Sequence, residues 1–263
     1  MASAIFQRYT DNILLGVTPT ATVAPSTSYS LATLATLNPA ARVRWSVKTV
    51  TITFTISSAQ GDILVIPMHN LDPGASVLTL TNGAGFSHAI TIPAVQADGF
   101  PPTLVVDLTS FSSRTSTVWN LVIVSNSVNV TFGGCIAIYG PKRSFLGQAV
   151  GDNFAWGFHE SETPNVLDVA NEYGTPYVQD YGTVNRKIAV DLRASSPSGL
   201  TAIRDWFRAN HGRARPSLFW PDPTSTTSGL FGRWSNTFDV LQQMETYKPI
   251  SLTFDEWPKG QAL

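Results

Sequence analysis

The chain has 263 residues, 43% of them hydrophobic and only 13% charged, with a formal net charge of −1. That length is ample for a buried core and favours two units over one, while the charged fraction is about half the usual level for a globular chain. A charge near zero excludes a dedicated nucleic-acid binder, which needs a clustered Lys/Arg excess to neutralise phosphates; the close pairs Arg42 and Arg44, Arg204 and Arg208, and Arg213 and Arg215 have apolar or acidic neighbours.

So few charges fit either a sandwich covered by Ser, Thr and Asn or a subunit whose surface is occupied by neighbours. A single cysteine, Cys135, excludes an intrachain disulfide and a Cys-based zinc site. It lies in the apolar run Gly133 to Ile138, with no His or base in the same motif, and reads as a small hydrophobe. The start Met-Ala-Ser-Ala has no basic stretch followed by an apolar one, and no apolar run approaches the ~18 residues a membrane span requires. No signal peptide and no membrane span are expected, so synthesis and assembly are expected in a cytoplasm.

In chain order, residues 17 to 30 are rich in Thr, Ser, Pro and Ala and read as loop, and Leu31 to Leu37 can form one helical turn. Val47 to Ser57 alternates β-branched and polar residues, predicting a strand with one buried face. Asp62 to Met68 is apolar throughout, as expected of a strand covered on both faces. The turn Asn70 to Ala75 follows, by Pro and Gly chemistry. Ser76 to Thr81, Ala89 to Pro93, Thr103 to Leu108, Ser116 to Ser125 and Ser127 to Phe132 continue the series at the spacing of an all-β sandwich.

The character changes at the turn Gly140-Pro141-Lys142-Arg143, which places a unit boundary there and divides the chain into 1–140 and 141–263. Tyr173-Gly174-Thr175 recurs as Tyr181-Gly182-Thr183, as strand ends around a hairpin would. Arg186 to Arg193 alternates, with Ile188, Val190 and Leu192 on one face. A helix over 198–211 follows: Ser198 can cap its start, Leu200, Ile203 and Phe207 share a face, and Gly212 can end it. Pro216 to Pro221, Gly229 to Trp234 and Lys248 to Glu256 return as strands. The fold class is therefore mainly β: an N-terminal sandwich, then a C-terminal sandwich or α+β unit with a single helix.

Reactive groupings are scarce. Gly85-Phe86-Ser87-His88-Ala89 approaches a nucleophile elbow, but ends in Ala and continues as strand where that motif needs a helix. His159-Glu160-Ser161-Glu162 lacks a second His at helical spacing and reads as a solvated polar turn. Asp255 and Glu256, adjacent on a strand, point to opposite faces and cannot act as a carboxylate pair. The glycines sit in β turns, so no phosphate loop or dinucleotide fingerprint exists. No catalytic, cofactor-binding or metal-binding residue is therefore assigned, and an enzyme is not expected. Of the many aromatics in the second half, Trp206, Phe219, Trp220, Trp234 and Trp257 are the candidates for assembly, weighted toward core or subunit interface over a sugar platform.

The order of motifs resembles a group of bacteriophage minor structural proteins. Arg44-Trp45, the alternating strand Val50 to Ile56, the run Ile63 to Leu71 and the turn Asp72-Pro73-Gly74-Ala75 are similar to a discoidin-like, galactose-binding-like jelly roll. Lys187 to Leu192, the helix Leu200 to Asn210, Leu218-Phe219-Trp220-Pro221-Asp222-Pro223, Phe231-Gly232-Arg233-Trp234 and Leu252 to Glu256 resemble a distal-tail-type domain. The likeness covers roughly residues 40–75 and 185–257, and the linker 141–185 has no recognised counterpart. The resemblance implies a virion tail subunit, in the tail tip or baseplate, made in the host bacterial cytoplasm. It would close into a ring of identical copies, expected to be sixfold, and join the tail to fibres or host-contact proteins. The alternative it allows is a carbohydrate-binding module touching host surface glycan, since fold alone does not grant the activity.

Overall fold

The computed structural model describes residues 4–26, 30–35, 42–95, 102–125, 129–133, 135–144, 154–170, 176–192, 197–235, 242–243, 246–247 and 250–256. The strands of the first half are β1 (Ile5–Gln7), β2 (Thr20–Ala21), β3 (Arg42–Arg44), β4 (Thr49–Gln60), β5 (Ile63–Ile66), β6 (Met68–His69), β7 (Ser76–Asn82), β8 (Ser87–Ile90), β9 (Leu104–Asp107), β10 (Thr115–Ser125), β11 (Thr131–Gly133) and β12 (Ala137–Tyr139). The second half has β13 (Arg143–Ser144), β14 (Phe154–Ala170), β15 (Pro176–Leu192), helix α1 (Pro197–Ala209), β16 (Ser217–Trp220), β17 (Leu230–Trp234), β18 (Gln242–Gln243), β19 (Thr246–Tyr247) and β20 (Ile250–Glu256). A 3-10 turn at Leu31–Ala35 falls where one helical turn is expected. The protein is mainly β, with antiparallel pairing throughout the described sheets.

The first sheet has the order β2-β4-β10-β7-β8. Alternation along β4 turns Val50, Ile52 and Phe54 to one side, opposite Ile123, Leu121 and Trp119 of β10, and all six are almost fully buried. Two short sheets, β3-β11-β6 and β12-β5-β9, close the sandwich. Pro67 separates β5 from β6, because a proline gives the ladder no N–H. The strand expected over 127–132 begins only at Thr131: Asn129 is instead a loop residue whose carbonyl accepts Asn70 Nδ2 at 2.7 Å.

β5 explains the uniformly apolar run. Leu64 and Ile66 face the core of the sandwich, whereas Ile63 and Val65 face a second apolar layer with Val105, Ala137, Tyr139, Leu218, Trp220 and Phe231. All four residues of β5 are at 0% exposure, and each buried aliphatic of this size contributes about 1.5–3 kcal/mol. The opposite wall of this layer is a seven-stranded sheet, β13-β1-β16-β17-β20-β15-β14. The molecule thus stacks sheet on sheet on sheet, with α1 on the outside.

The N-terminal strand crosses the boundary placed at residue 140. β1 pairs with β16 in the register Ile5↔Trp220, Phe6↔Phe219 and Gln7↔Leu218, and with β13 on its other edge. Ile5 joins the layer against the sandwich, while Ala4 and Phe6 point to the α1 side. The helix buries Ile203 and Trp206, with Leu200 and Phe207 partly covered. It begins at Pro197, where the missing N–H costs nothing. It ends as Gly212, at φ +65, donates its N–H to Phe207 O at 2.8 Å.

Two further differences concern β14 and β15. Residues 159–162, expected as a polar turn, lie on β14 because they pair with β15 through Glu160↔Ile188 and Ser161↔Lys187. β15 starts at Pro176, ten residues before the expected Arg186. β20 supports β15 only from Lys187 to Leu192, but the β14–β15 ladder continues to Ala170↔Pro176. The hairpin therefore runs past the sheet as a two-stranded arm of roughly 30 Å, at ~3.3 Å per residue. Of the two Tyr-Gly-Thr copies, Tyr181 to Thr183 lies inside β15, and Tyr173 to Thr175 falls outside the described residues.

Close strand approach fixes one glycine. A Cβ on Gly232 of β17 would stand 1.9 Å from the Asp255 carbonyl oxygen of β20. Gly232→Ala is expected to force the backbones apart and cost about 2–3 kcal/mol. Urea denaturation checks this, and an unchanged midpoint would contradict it.

Candidate functional site at the junction of the two units

Two edge strands, β8 of the first sheet and β9 of the sheet beside it, leave the sandwich open along one side. The loop between β16 and β17 closes over this opening. The result is a cleft of about 290 Å3, walled by Ile90, Leu104, Val105 and Trp220 and bearing His88, Thr91, Asp107 and Thr226 as its polar groups. That size is near the lower end for a ligand pocket, and a mostly apolar wall with a few polar groups is the usual composition.

Each part of the cleft is held in place. Asp107 accepts Lys142 Nζ at 2.6 Å, Thr109 Oγ1 at 2.6 Å and Thr109 N at 2.9 Å. Burial alone would raise the pKa of its carboxyl; Lys142 and Thr109 outweigh that and keep it below the ordinary value, hence ionised. His88 packs on Phe111 with ring centroids 4.3 Å apart, and burial lowers its pKa so that it is neutral near pH 7. In the loop, Asp222 Oδ1 accepts Thr224 N at 3.0 Å and Thr224 Oγ1 at 2.6 Å, and Trp220 Nε1 donates to Ser225 O at 2.9 Å.

The far end of that loop is anchored from beneath. Arg186 Nη1 donates to Thr227 O at 2.9 Å and Arg186 Nη2 to Gly229 O at 3.1 Å. Its Nε and Nη2 reach the two oxygens of Glu256 at 3.0 and 2.9 Å, and Thr103 Oγ1, just before β9, donates to Glu256 at 3.4 Å. Burial lowers the Arg186 pKa, but Glu256 more than compensates, and the guanidinium stays charged. Gly229 sits against β9, where an added Cβ would lie 2.6 Å from Val105 Cγ2. The wall of the cleft and the buried ion pair are therefore one construction.

More charged groups tie the units at the turn after β12. Asp62 accepts Arg114, Gln60 Nε2 at 2.7 Å and the backbone N–H of Lys142 at 2.8 Å. Asp11 takes Arg8 and Arg143 together, with Arg143 Nε at 2.7 Å. Burial would raise its pKa, and the two guanidiniums bring it below the ordinary carboxylate value.

The residues singled out from sequence are placed as follows. Trp206, Phe219 and Trp234 are at 0% exposure between α1 and the seven-stranded sheet, and Trp220 is buried in the layer between the units. Trp257 lies outside the described residues. Ser87 and His88 are on strand β8, after a turn in which Gly85 has φ +89. Asp255 is half-buried beside Lys187 at 3.7 Å while Glu256 is buried, so the two do face opposite ways. Cys135 is fully buried, and burial raises its thiol pKa well above the ordinary value. Among the described residues no three His, Cys, Asp or Glu side chains gather as a metal site, and no helix is long and apolar enough to cross a membrane.

His69, which closes the apolar run on β6, is wholly buried. Its Nδ1 accepts Leu71 N at 3.2 Å, and Nε2 is buried without a hydrogen-bond partner. Burial drives its pKa down to about 4 from 6.5. The unfolded chain therefore takes up this proton first as pH falls, so the associated stability is present above pH 6.5 and is lost on the way to pH 4. The loss amounts to about 3 kcal/mol. His69→Gln is expected to flatten the fall in unfolding free energy between pH 6.5 and 4.5; parallel profiles for the two proteins would contradict the assignment.

No family model matches the chain, and no curated protein matches it. Among solved structures it is similar to chitosan-binding module 1 of a chitosanase/glucanase from Paenibacillus sp. IK-5, at 14% identity and TM-score 0.36, over 49% of this chain and 98% of that one. A selenomethionine-labelled mutant of the same module gives 14% identity and TM-score 0.37, with the same coverage. A Clostridium perfringens module, CpGH89CBM32-5 in complex with GalNAc-β-1,3-galactose, gives 11% identity and TM-score 0.35, over 48% of this chain and 96% of that one.

Proposed function

We propose that the chain is a non-catalytic assembly subunit of a bacteriophage tail, in which identical copies join into a ring and the N-terminal sandwich faces outward as a recognition unit. The observation that carries this reading is the β14–β15 arm. A two-stranded ribbon on its own is at best marginally stable in water, so one that runs past its sheet by about 30 Å calls for a neighbouring surface to cover it. The buried ionic groups support the non-catalytic part. Asp11, Asp62, Arg186 and Glu256 each spend their hydrogen-bonding capacity on holding layers or loops together. The test is light scattering and imaging of the purified full chain: a ring, expected to hold six copies, supports the reading. A monomer at tens of micromolar that never enters particles overturns it.

The cleft favours a second reading that can coexist with the first, a site for host surface glycan. An ionised carboxylate, a neutral imidazole and two threonine hydroxyls set in an apolar wall suit vicinal hydroxyls on a sugar ring. The full chain would be applied to an array of bacterial surface saccharides, with Asp107→Asn as control. Binding that weakens at least ~10-fold in the variant, equivalent to about 1.4 kcal/mol, supports it, and silence across the array removes it.

A further inference from the structure

Two of the arginines that look like members of separate pairs in the sequence, Arg208 and Arg213, line one concavity in the fold. Arg204 and Arg208 lie on α1, and Arg213 and Arg215 on the turn that follows it, with Asp205 as the one carboxylate in the same stretch. This segment carries four positive charges against one negative on a chain whose net charge is −1. Arg208 and Arg213 are exposed, and Arg204 and Arg215 half-buried. Among the described residues none of the four belongs to an ion pair; Arg215 lies over the Tyr9 ring at 4.6 Å. A shallow concavity is lined by Phe207, Arg208, His211, Gly212, Arg213 and Ala214. Cations at a helix C-terminus complement its dipole, but this gives no reason for the further pair beyond the helix.

The arm has the opposite charge. Past the sheet, from Glu162 to Asn185, there is no Lys or Arg, whereas Glu162, Asp168 and Asp180 occur on its two strands. Glu160, on the part of β14 that the sheet supports, is shared with Arg186 at 3.5 Å; Glu162, at the base of the arm, is exposed but lies opposite Arg186 and also favours its charge. One protein therefore carries a positively charged concave surface and a negatively charged projecting ribbon on separate elements.

We propose that the basic surface at the C-terminal end of α1 is the seat for the β14–β15 arm of a second copy. The proposal rests on the assembly reading and specifies its contact. Arm into seat is a head-to-tail interaction, which generates a closed ring if the rotation between copies allows closure. Opposite charges at the contact steer the encounter, exclude other registers and make association sensitive to salt.

The test uses the full chain and two charge reversals, Arg208→Glu/Arg213→Glu on the seat and Asp168→Lys/Asp180→Lys on the arm, followed by light scattering. Wild type is expected to assemble at low salt and to weaken at least ~10-fold in ~0.5 M salt. Each reversed protein alone presents like charges and is expected to stay monomeric. Mixed in equal amounts, they again offer opposite charges at every contact, and assembly is expected to return; this rescue also rules out misfolding as the cause of the loss. If wild type assembles but neither reversal disturbs it, or the mixture stays apart, the seat is wrong while the ring reading stands. If wild type remains monomeric at low salt, the ring reading fails and the seat with it.

Discussion

Glu256→Ala is expected to lower the unfolding free energy by about 3–5 kcal/mol, more than any exposed charge change in the chain. Glu256 and Arg186 are both at 4% exposure, and the guanidinium makes its two charge-assisted bonds to this carboxylate at 3.0 and 2.9 Å. Removing the carboxylate leaves a cation buried without its counter-charge, and the desolvation penalty that the pair offsets is then exposed in full. The companion Glu160→Ala should cost less than about 1 kcal/mol, because that carboxylate is 38% exposed and reaches Arg186 only at 3.5 Å. Equilibrium urea denaturation of the two variants measures the difference. Equal small losses would mean that water reaches Arg186 and that the pair does not organise the site. The same substitution bears on function, since Arg186 also holds Thr227 O and Gly229 O. Any ligand of the cleft should bind Glu256→Ala more weakly even where the protein remains folded.

Trp206→Ala comes next, at about 3–5 kcal/mol. The indole is at 0% exposure and packs against Trp234, Phe6, Phe219 and Phe254 at centroid distances of 4.7, 5.2, 5.9 and 5.9 Å. Its Nε1 also donates to Gln7 O on β1 at 3.2 Å. Truncation leaves a cavity between helix and sheet and takes away a partner from a buried carbonyl, two costs that add. Trp206→Phe fills much of the space and should cost clearly less. Thermal unfolding should fall by on the order of 10 °C for the alanine variant. A drop of one or two degrees would place the ring at a yielding surface rather than in a packed core. Because Trp206 joins α1 to β1, its loss is also expected to loosen the seat that α1 offers to a neighbouring copy.

Much of the first sandwich was legible because its strands are long enough for period-two alternation to stand out. β4 and β10 show it, and the unbroken apolar run of β5 correctly implied cover on both faces. The helix was legible for the same reason: Leu200, Ile203 and Phe207 repeat at helical spacing and Gly212 ends the element. The parts that escaped notice have local patterns too weak to read. Three residues, Ile5 to Gln7, cannot display a period, and nothing in them tells that they pair with Leu218 to Trp220 more than 200 positions away. His159 to Glu162 looked like a turn because polar residues on an exposed strand and in a loop have the same composition, and only the partner strand separates the two.

The candidate site lay almost wholly beyond the sequence. His88, Asp107 and Trp220 belong to three separate elements, and Arg186 and Glu256 to two more, with Thr103 just before β9; no spacing along the chain signals that they meet. Residue order by itself determined the longer strands of the first sandwich, the apolar face of each, where the helix runs and that Asp255 and Glu256 turn opposite ways. Those properties follow from the backbone repeat and from the aversion of apolar groups to water, both of which act locally. Only the tertiary structure decided which strands are neighbours, that a second apolar layer joins the units, that the hairpin leaves its sheet and that Arg208 and Arg213 line one concavity. Such choices depend on long-range closure, where the free energy comes from many distant groups packing at once, and no short stretch of chain contains it.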